Sequence, residues 1–289
     1  MKTTEEKAFA KLNISLDVSN PRPDGYHDMV MVMQTVSLHD NISITLNDSG
    51  KLHAETGVYF IPGDERNLAV KAAKLFLAEI GDTTTGGDIK IRKKIPVGAG
   101  MAGGSCDAAA VLRAMNRLFE MPLDNDTLLK LAEKTGSDVP FCLLGGTALA
   151  EGRGEVLTSL KPIPDCEFVI CKPVFSISTP ELFKALDKVK LRTHPDTQGI
   201  IEGIEAGALN QVCRRMYNVF EDVQDRRFKV VAEIKRKLLN SGAMGSIMTG
   251  TGSAVYGIFE RGADTKSIVG ELKKEYGFCV KAEPVGKLI

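Results

Sequence analysis

The chain has no surplus of charge: 37 lysines and arginines face 37 aspartates and glutamates. That balance implies no basic face, so nucleic acid is not an expected partner. No run approaches the roughly 18 apolar residues that a membrane span needs, which leaves membranes out as well. The first residues, Met1-Lys2-Thr3-Thr4-Glu5-Glu6-Lys7, are charged and lack the apolar core of a signal peptide. The six cysteines form no Cys-x-x-Cys pair and no disulfide-like framework, and with four scattered histidines they offer no metal cluster. A reducing, cytoplasmic setting is expected. Cys142 and Cys171 lie in apolar runs and read as small buried hydrophobes. Repeats and low-complexity tracts are also absent.

What the chain does have is 289 residues with 43% hydrophobic content, enough for one large or two ordinary domains around a substantial core. Its most informative stretch is Pro96-Val97-Gly98-Ala99-Gly100-Met101-Ala102-Gly103-Gly104-Ser105-Cys106-Asp107, followed by an alanine-rich run. Glycine lets backbone N–H groups turn toward a ligand and approach it closely. A helix from Ser105 to about Phe119 then points its free N–H groups and positive dipole end at the same spot. Such a place binds anions, most often phosphate. It is not a Walker loop, because no lysine precedes Ser105. The Gly98-x-Gly100-x-x-Gly103 spacing copies a dinucleotide fingerprint, but Glu120, at the right distance, sits at a helix end with no strand before it. A glycine-rich turn with no ligand is the remaining alternative.

Alternation predicts strands over 7–18, 30–36, 41–46 and 88–95, and helical spacing predicts a helix over 67–80. Residues 126–135 form a second helix after the loop helix, and an apolar run over 139–149 contains Gly145-Gly146. The charged segment from Glu151 to Lys161 is the expected domain boundary, giving domains 1–160 and 161–289. Beyond it, strands are expected over 167–172, 243–248, 254–260 and 278–284, and helices over 180–189, 228–240 and 264–276. The fold class is α+β, in two domains.

Four further features carry chemistry, each with a plainer alternative. Gly250-Thr251-Gly252-Ser253 between two apolar strands is either a simple hairpin turn or a second wall of the phosphate pocket. Lys11 and Asn13 share the polar side of an early strand, which is either solvated or turned into a site. Asp138, after Gly136-Ser137, is a turn residue or a functional carboxylate. Tyr26 and His27 follow a proline-stiffened turn and suit a planar base as well as they suit an ordinary loop.

Taken together these segments resemble the GHMP kinase superfamily, named for galactokinase, homoserine kinase, mevalonate kinase and phosphomevalonate kinase. The resemblance is carried by Ala10-Lys11-Leu12-Asn13, Arg22-Pro23-Asp24-Gly25-Tyr26-His27, the loop from Pro96 to Ala109, Gly136-Ser137-Asp138-Val139-Pro140-Phe141, and Met248-Thr249-Gly250-Thr251-Gly252-Ser253. It is strongest with the branch whose acceptor is a cytidyl-diphosphate ester of methylerythritol, in non-mevalonate isoprenoid biosynthesis. The Asp-Gly-Tyr-His block is its most specific part.

The resemblance implies an N-terminal ATP-binding domain, a C-terminal ferredoxin-like domain, and an active site in the cleft between them. It implies ATP and Mg²⁺, phosphorylation of the C2 hydroxyl of that small-molecule acceptor, and Asp138 as general base with Lys11 beside it. Pro96, Gly98, Gly100, Met101, Ala102, Gly103, Gly104, Ser105 and Cys106 would take the ATP phosphates, with Asn67 and Leu68 at the adenine. Asn13 would lie near the methylerythritol or the phosphates, Gly250, Thr251 and Gly252 would face the acceptor, and Tyr26, His27 and Phe183 would hold its cytosine.

The chemistry agrees, since an attacking alcohol must lose a proton to a base within hydrogen-bond reach. Most of the acceleration in phosphoryl transfer then comes from positioning and charge neutralisation. Three departures from the family pattern stand out. Met101 replaces a leucine, a volume-conserving change. Ala102 replaces a glycine, which requires that position to keep an ordinary φ. Cys106 replaces a serine and removes a hydroxyl that could touch phosphate or metal, so no metal ligand is assigned. Another small-molecule kinase of the superfamily, or a non-catalytic nucleotide-binding regulator, is the alternative reading. Monomer and homodimer are both open.

Overall fold

The computed structural model describes residues 2–22, 25, 27–191, 193–223 and 225–289, the side chains of residues 20 and 21 excepted. Its frame is a pair of long antiparallel strands, β1 (Thr3–Pro21) and β2 (His27–Asn47). Along β1, Ala8, Ala10, Leu12, Ile14, Leu16 and Val18 are all buried, as their alternation requires. In the middle of the strand the polar side is buried too: Lys11 is 5% exposed, and Asn13 and Ser15 are 0%. The expected strands over 30–36 and 41–46 are one strand. Its polar middle is an irregularity in pairing: Phe9 faces His39 while Lys11 faces Thr35. Bulges of this kind bend a strand and re-aim its side chains.

Three further elements complete the near side of the frame. These are β3 (Leu52–Glu55), α1 (Leu68–Glu79), capped by the Asn67 side chain, and β4 (Gly86–Arg92). The glycine loop then leads into α2 (Gly103–Leu118), followed by α3 (Asn125–Thr135) and α4 (Val139–Leu144). The apolar run over 139–149 splits at Gly145-Gly146, both at positive φ, and continues as β5 (Thr147–Glu151). With β6 (Val156–Ser159) these are six strands of a seven-stranded sheet, whose seventh member comes later in the chain. The alanine-rich α2 buries its apolar face under α1 and against β1, in the larger of two cores.

The chain leaves this sheet after Ser159 and enters a second one at β7 (Cys166–Lys172). Next come α5 (Thr179–Leu186), α6 (Thr197–Glu205) and α7 (Leu209–Arg214). A two-residue strand, β8 (Tyr217–Asn218), returns to pair in parallel with β1. Then follow α8 (Phe228–Asn240), β9 (Gly245–Met248), β10 (Val255–Glu260), α9 (Lys266–Tyr276) and β11 (Phe278–Ala282). Val231, Ile234 and Leu238 form the buried stripe of α8. The second sheet is wholly antiparallel in the order β11-β7-β10-β9. With its two helices this is the β-α-β-β-α-β pattern of a ferredoxin-like domain. The tail then returns to the first sheet, bridging Val36 to Pro284 and Gly145 to Lys287. Among the described residues no helix is long and apolar enough to cross a membrane.

Candidate active site

A cleft of about 810 Å³ is lined by residues of β1 and β2 in the first sheet, by the glycine loop, and by α5 and the β9–β10 turn of the second half. The glycine loop supplies one side. Gly98 and Gly100 take φ of +63° and +74°, the left-handed region where glycine is unstrained. Pro96, Gly98, Gly100, Met101, Ala102, Gly103, Gly104 and Ser105 line the cleft, with Asn67 and Leu68 from the start of α1.

Two expectations for this loop need correction or relocation. Ala102 does not keep an ordinary φ: it stands at φ 56°, ψ 33° as the residue before α2. The turn into the helix demands the left-handed conformation, which costs a side chain on the order of 1–3 kcal/mol. Cys106 does not line the cleft. It is buried, its Sγ lies 3.4 Å from that of Cys142, and burial pushes its thiol well above the ordinary cysteine range. The serine of the motif that reaches the cleft is Ser105.

The turn from Gly250 to Ser253 joins β9 to β10, and it is both a hairpin connection and a wall of this cleft. It packs backbone on backbone against the glycine loop. A Cβ on Gly250 would stand 2.8 Å from the carbonyl oxygen of Gly100. The Ala254 amide donates to the carbonyl of Ala99 at 3.2 Å. Asn218 holds the turn from below, its Nδ2 donating to the carbonyls of Met248 and Gly250 at 2.8 Å each.

Lys11 lines the cleft from β1, flanked by the strand irregularities at Phe9/Lys11 and Asn13/Ser15. Its ammonium donates to Asn13 Oδ1 at 2.6 Å. Asn13 itself does not line the cleft. It lies beneath, receiving the Lys11 proton, donating its amide to Thr249 Oγ1 at 3.1 Å and accepting at its carbonyl from Tyr256 at 2.7 Å. Asp138 lines the cleft half-buried, as the residue that starts α4, with no side-chain capping bond. Among the described residues no ion pair joins it to Lys11, so its carboxylate faces the cleft uncommitted.

His27, at the start of β2, and Phe183, in α5, line the same cleft. Their rings lie 5.1 Å apart at 33°, and Phe183 rests edge-on against Phe220 at 4.9 Å. His27 Nε2 is 2.7 Å from Asp187 Oδ1. Tyr26 falls outside the described residues. Thr251 and Gly252 complete the set, with Thr251 Oγ1 2.8 Å from Thr179 Oγ1.

Sequence reasoning missed a buried charge cluster under the glycine loop. The Lys93 ammonium sits 2.6 Å from Asp40 Oδ2 and 2.7 Å from Asp107 Oδ2. Burial, with Asp40 beside it, pushes the Asp107 carboxyl up to about 8 against the pull of Lys93. Burial pulls the Lys93 ammonium down, but Asp107 and Asp40 outweigh it and hold it above its usual value. Lys93 and Asp107 both border the cleft.

This geometry matches known proteins. Residues 67–146 match the sequence model of the GHMP kinases N terminal domain, and residues 200–277 that of the GHMP kinases C terminal domain. The chain belongs to the GHMP kinase family. A 4-diphosphocytidyl-2-C-methyl-D-erythritol kinase of Clostridium novyi (strain NT) is 45% identical to this GHMP kinase over 254 residues, 88% of this chain and 90% of that one. A protein of the same description from Caldicellulosiruptor saccharolyticus is 42% identical over 267 residues, 92% of each. A crystal structure of 4-(cytidine 5'-diphospho)-2C-methyl-D-erythritol kinase superimposes with a TM-score of 0.82 at 32% identity, covering 98% of this chain and all of that one. Homoserine kinase from Cytophaga hutchinsonii shares the fold, with a TM-score of 0.80 at 19% identity. The two-domain fold and the ATP-dependent kinase activity follow from this membership.

Proposed function

We propose that this GHMP kinase transfers the γ-phosphoryl group of ATP to the C2 hydroxyl of 4-diphosphocytidyl-2-C-methyl-D-erythritol. The observation that carries the reading is the meeting, in one cleft, of a glycine loop and helix start suited to phosphate, a free carboxylate at Asp138, and a His27–Phe183 ring pair suited to a base. On this reading the chain divides into domains 1–160 and 161–289, and the passage from β6 to β7 near residue 160 supports that division.

Asp138 would accept the proton of the attacking hydroxyl, a role for which an unpaired carboxylate at the cleft wall is suited. Lys11, kept in place by Asn13, would neutralise charge that develops on the transferring group. The α2 N-terminus and the amides of the glycine loop would cradle the ATP phosphates, with Asn67 and Leu68 beside the adenine. His27 and Phe183, with Tyr26, would grip the cytosine, so that binding energy remote from the reacting hydroxyl orients it. Gly250, Thr251 and Gly252 would close the acceptor side.

Mg²⁺ suits the site. It keeps several waters and binds through nucleotide phosphates and one or two protein oxygens, so it needs no protein cage. Among the described residues no group of three or more candidate ligands forms such a cage, while Ser105 and Asp138 offer oxygens at the cleft. When bound, the ion would offset charge on the phosphates.

The reading is tested by incubating purified enzyme with ATP and the cytidyl acceptor and locating the new phosphate by ³¹P NMR. A phosphomonoester at C2 is expected; a phosphate on another hydroxyl, or none, refutes it.

A further inference from the structure

The Asp40–Lys93–Asp107 cluster is buried, absent from the chemistry above, and placed at both ends of the glycine loop. At the entrance, Asp40 Oδ1 accepts the amide protons of Lys94 and of Ile95, the latter at 2.8 Å. These are the last residues before Pro96, and they lie beyond the end of β4, where no sheet partner remains for them. At the exit, Lys93 Nζ reaches Asp107 Oδ2 at 2.7 Å, within the first turns of α2. The link between them is the Lys93–Asp40 contact at 2.6 Å. The ammonium also lies against the loop, since a Cβ on Gly103 would stand 3.3 Å from it.

Stability alone does not account for such a cluster. Burying ionisable groups such as these costs several kcal/mol for each one that stays charged, and well-packed apolar residues often serve as well or better. What an apolar replacement cannot do is fix direction. It would leave the buried Ile95 amide and the part-buried Lys94 amide without their acceptor, and nothing to tie the helix start to the strand that feeds the loop. A phosphate cradle needs that fixing, because its backbone donors must already point inward when the ligand arrives.

We infer that Asp40 and Lys93 are positioning residues of the nucleotide site, a clamp that holds the entrance and exit of the glycine loop in register for the ATP phosphates. The inference rests on that loop being the ATP cradle.

Nucleotide affinity and loop exchange test it separately from the acceptor's identity. Lys93→Met keeps the length of the side chain and removes the charge. Asp40→Asn keeps an oxygen for the two amides and removes the ionic link to Lys93. Both are expected to raise Kd and KM for ATP, Lys93→Met by about tenfold or more, in line with a lost charged hydrogen bond. The KM for the acceptor should stay within about twofold. Hydrogen exchange should quicken at the amides of 94–104 while the strands of the second sheet stay protected. A merely structural defect would instead lower the active fraction, reducing kcat with both KM values unmoved. If Lys93→Met fails to fold, Asp40→Asn decides alone. ATP affinity within twofold of the unaltered enzyme, with unchanged loop exchange, overturns the inference. An unaltered enzyme that binds ATP but ignores the cytidyl acceptor would sink only the proposed function.

Discussion

The backbone of Gly100 lies so close to Thr249 that a Cβ at Gly100 would stand 2.1 Å from the Thr249 carbonyl oxygen. Two loops more than half the chain apart in sequence are thereby locked together, one from each sheet's half of the fold. Gly100 also sits at φ +74°. Gly100→Ala therefore meets both a backbone clash and a left-handed φ. We expect a stability loss of about 2 kcal/mol or more and a sharp fall in ATP affinity. Thermal unfolding and nucleotide titration measure these, and wild-type values for both would contradict the packing described.

Asp138→Asn keeps the shape of the side chain and removes its basicity. We expect kcat to fall by at least about 10² with ATP binding unchanged. Near-normal turnover would remove Asp138 from the role of base.

His27 is held by Asp187 at 2.7 Å while its ring lies against Phe183. Asp187→Ala frees the ring to turn. The KM for the cytidyl acceptor should rise by about 2- to 10-fold, the value of one modest hydrogen bond, with KM for ATP unchanged. An unchanged acceptor KM would show that the pair does not order the base site.

How much of this was legible in the sequence depended on how local the signal was. The glycine loop, its helix and the α8 stripe were readable because each is a short run with one periodicity. β2 was broken in two because a bulge opposite Phe9 and Lys11 interrupts its alternation as a turn would. α6 went unseen because Gly199 and Gly203 interrupt its pattern, and Gly203 is needed where the helix meets Gln211 and Val212. Lys11 had an undecided environment, because alternation cannot tell a solvated face from one covered by a second sheet. The Asp40–Lys93–Asp107 cluster left no trace, since three ordinary charges come together only when β2, the end of β4 and α2 are packed.

Ala102 holds a conformation that glycine would adopt without strain. Ala102→Gly relieves it, though a freer unfolded chain offsets part of the gain. A net stabilisation of about 1 kcal/mol is expected from the balance of these effects. Denaturant unfolding checks it, and a destabilised variant would refute the strained conformation.

Asp107 gives the enzyme a pH signature. Its carboxyl titrates near 8 in the fold against an ordinary value of 3.8. Between these values the folded state holds a proton that the unfolded state has released, so this group's contribution to stability declines as pH rises from about 4 to 8 and then levels off. Asp107→Asn carries no such proton. The stability of the unaltered enzyme relative to this variant should therefore fall across that window, measured by denaturant unfolding at a series of pH values. A pH-independent difference would place the Asp107 titration elsewhere.

A cleft built for a phosphoryl acceptor carrying a cytidyl diphosphate should discriminate in kcat/KM between methylerythritol with and without that group, measured at saturating ATP and Mg²⁺. Turnover of the cytidyl ester is expected, with a loss of orders of magnitude without that group, because the His27 and Phe183 contacts that orient the hydroxyl would be gone. Equal turnover of the two would contradict that expectation.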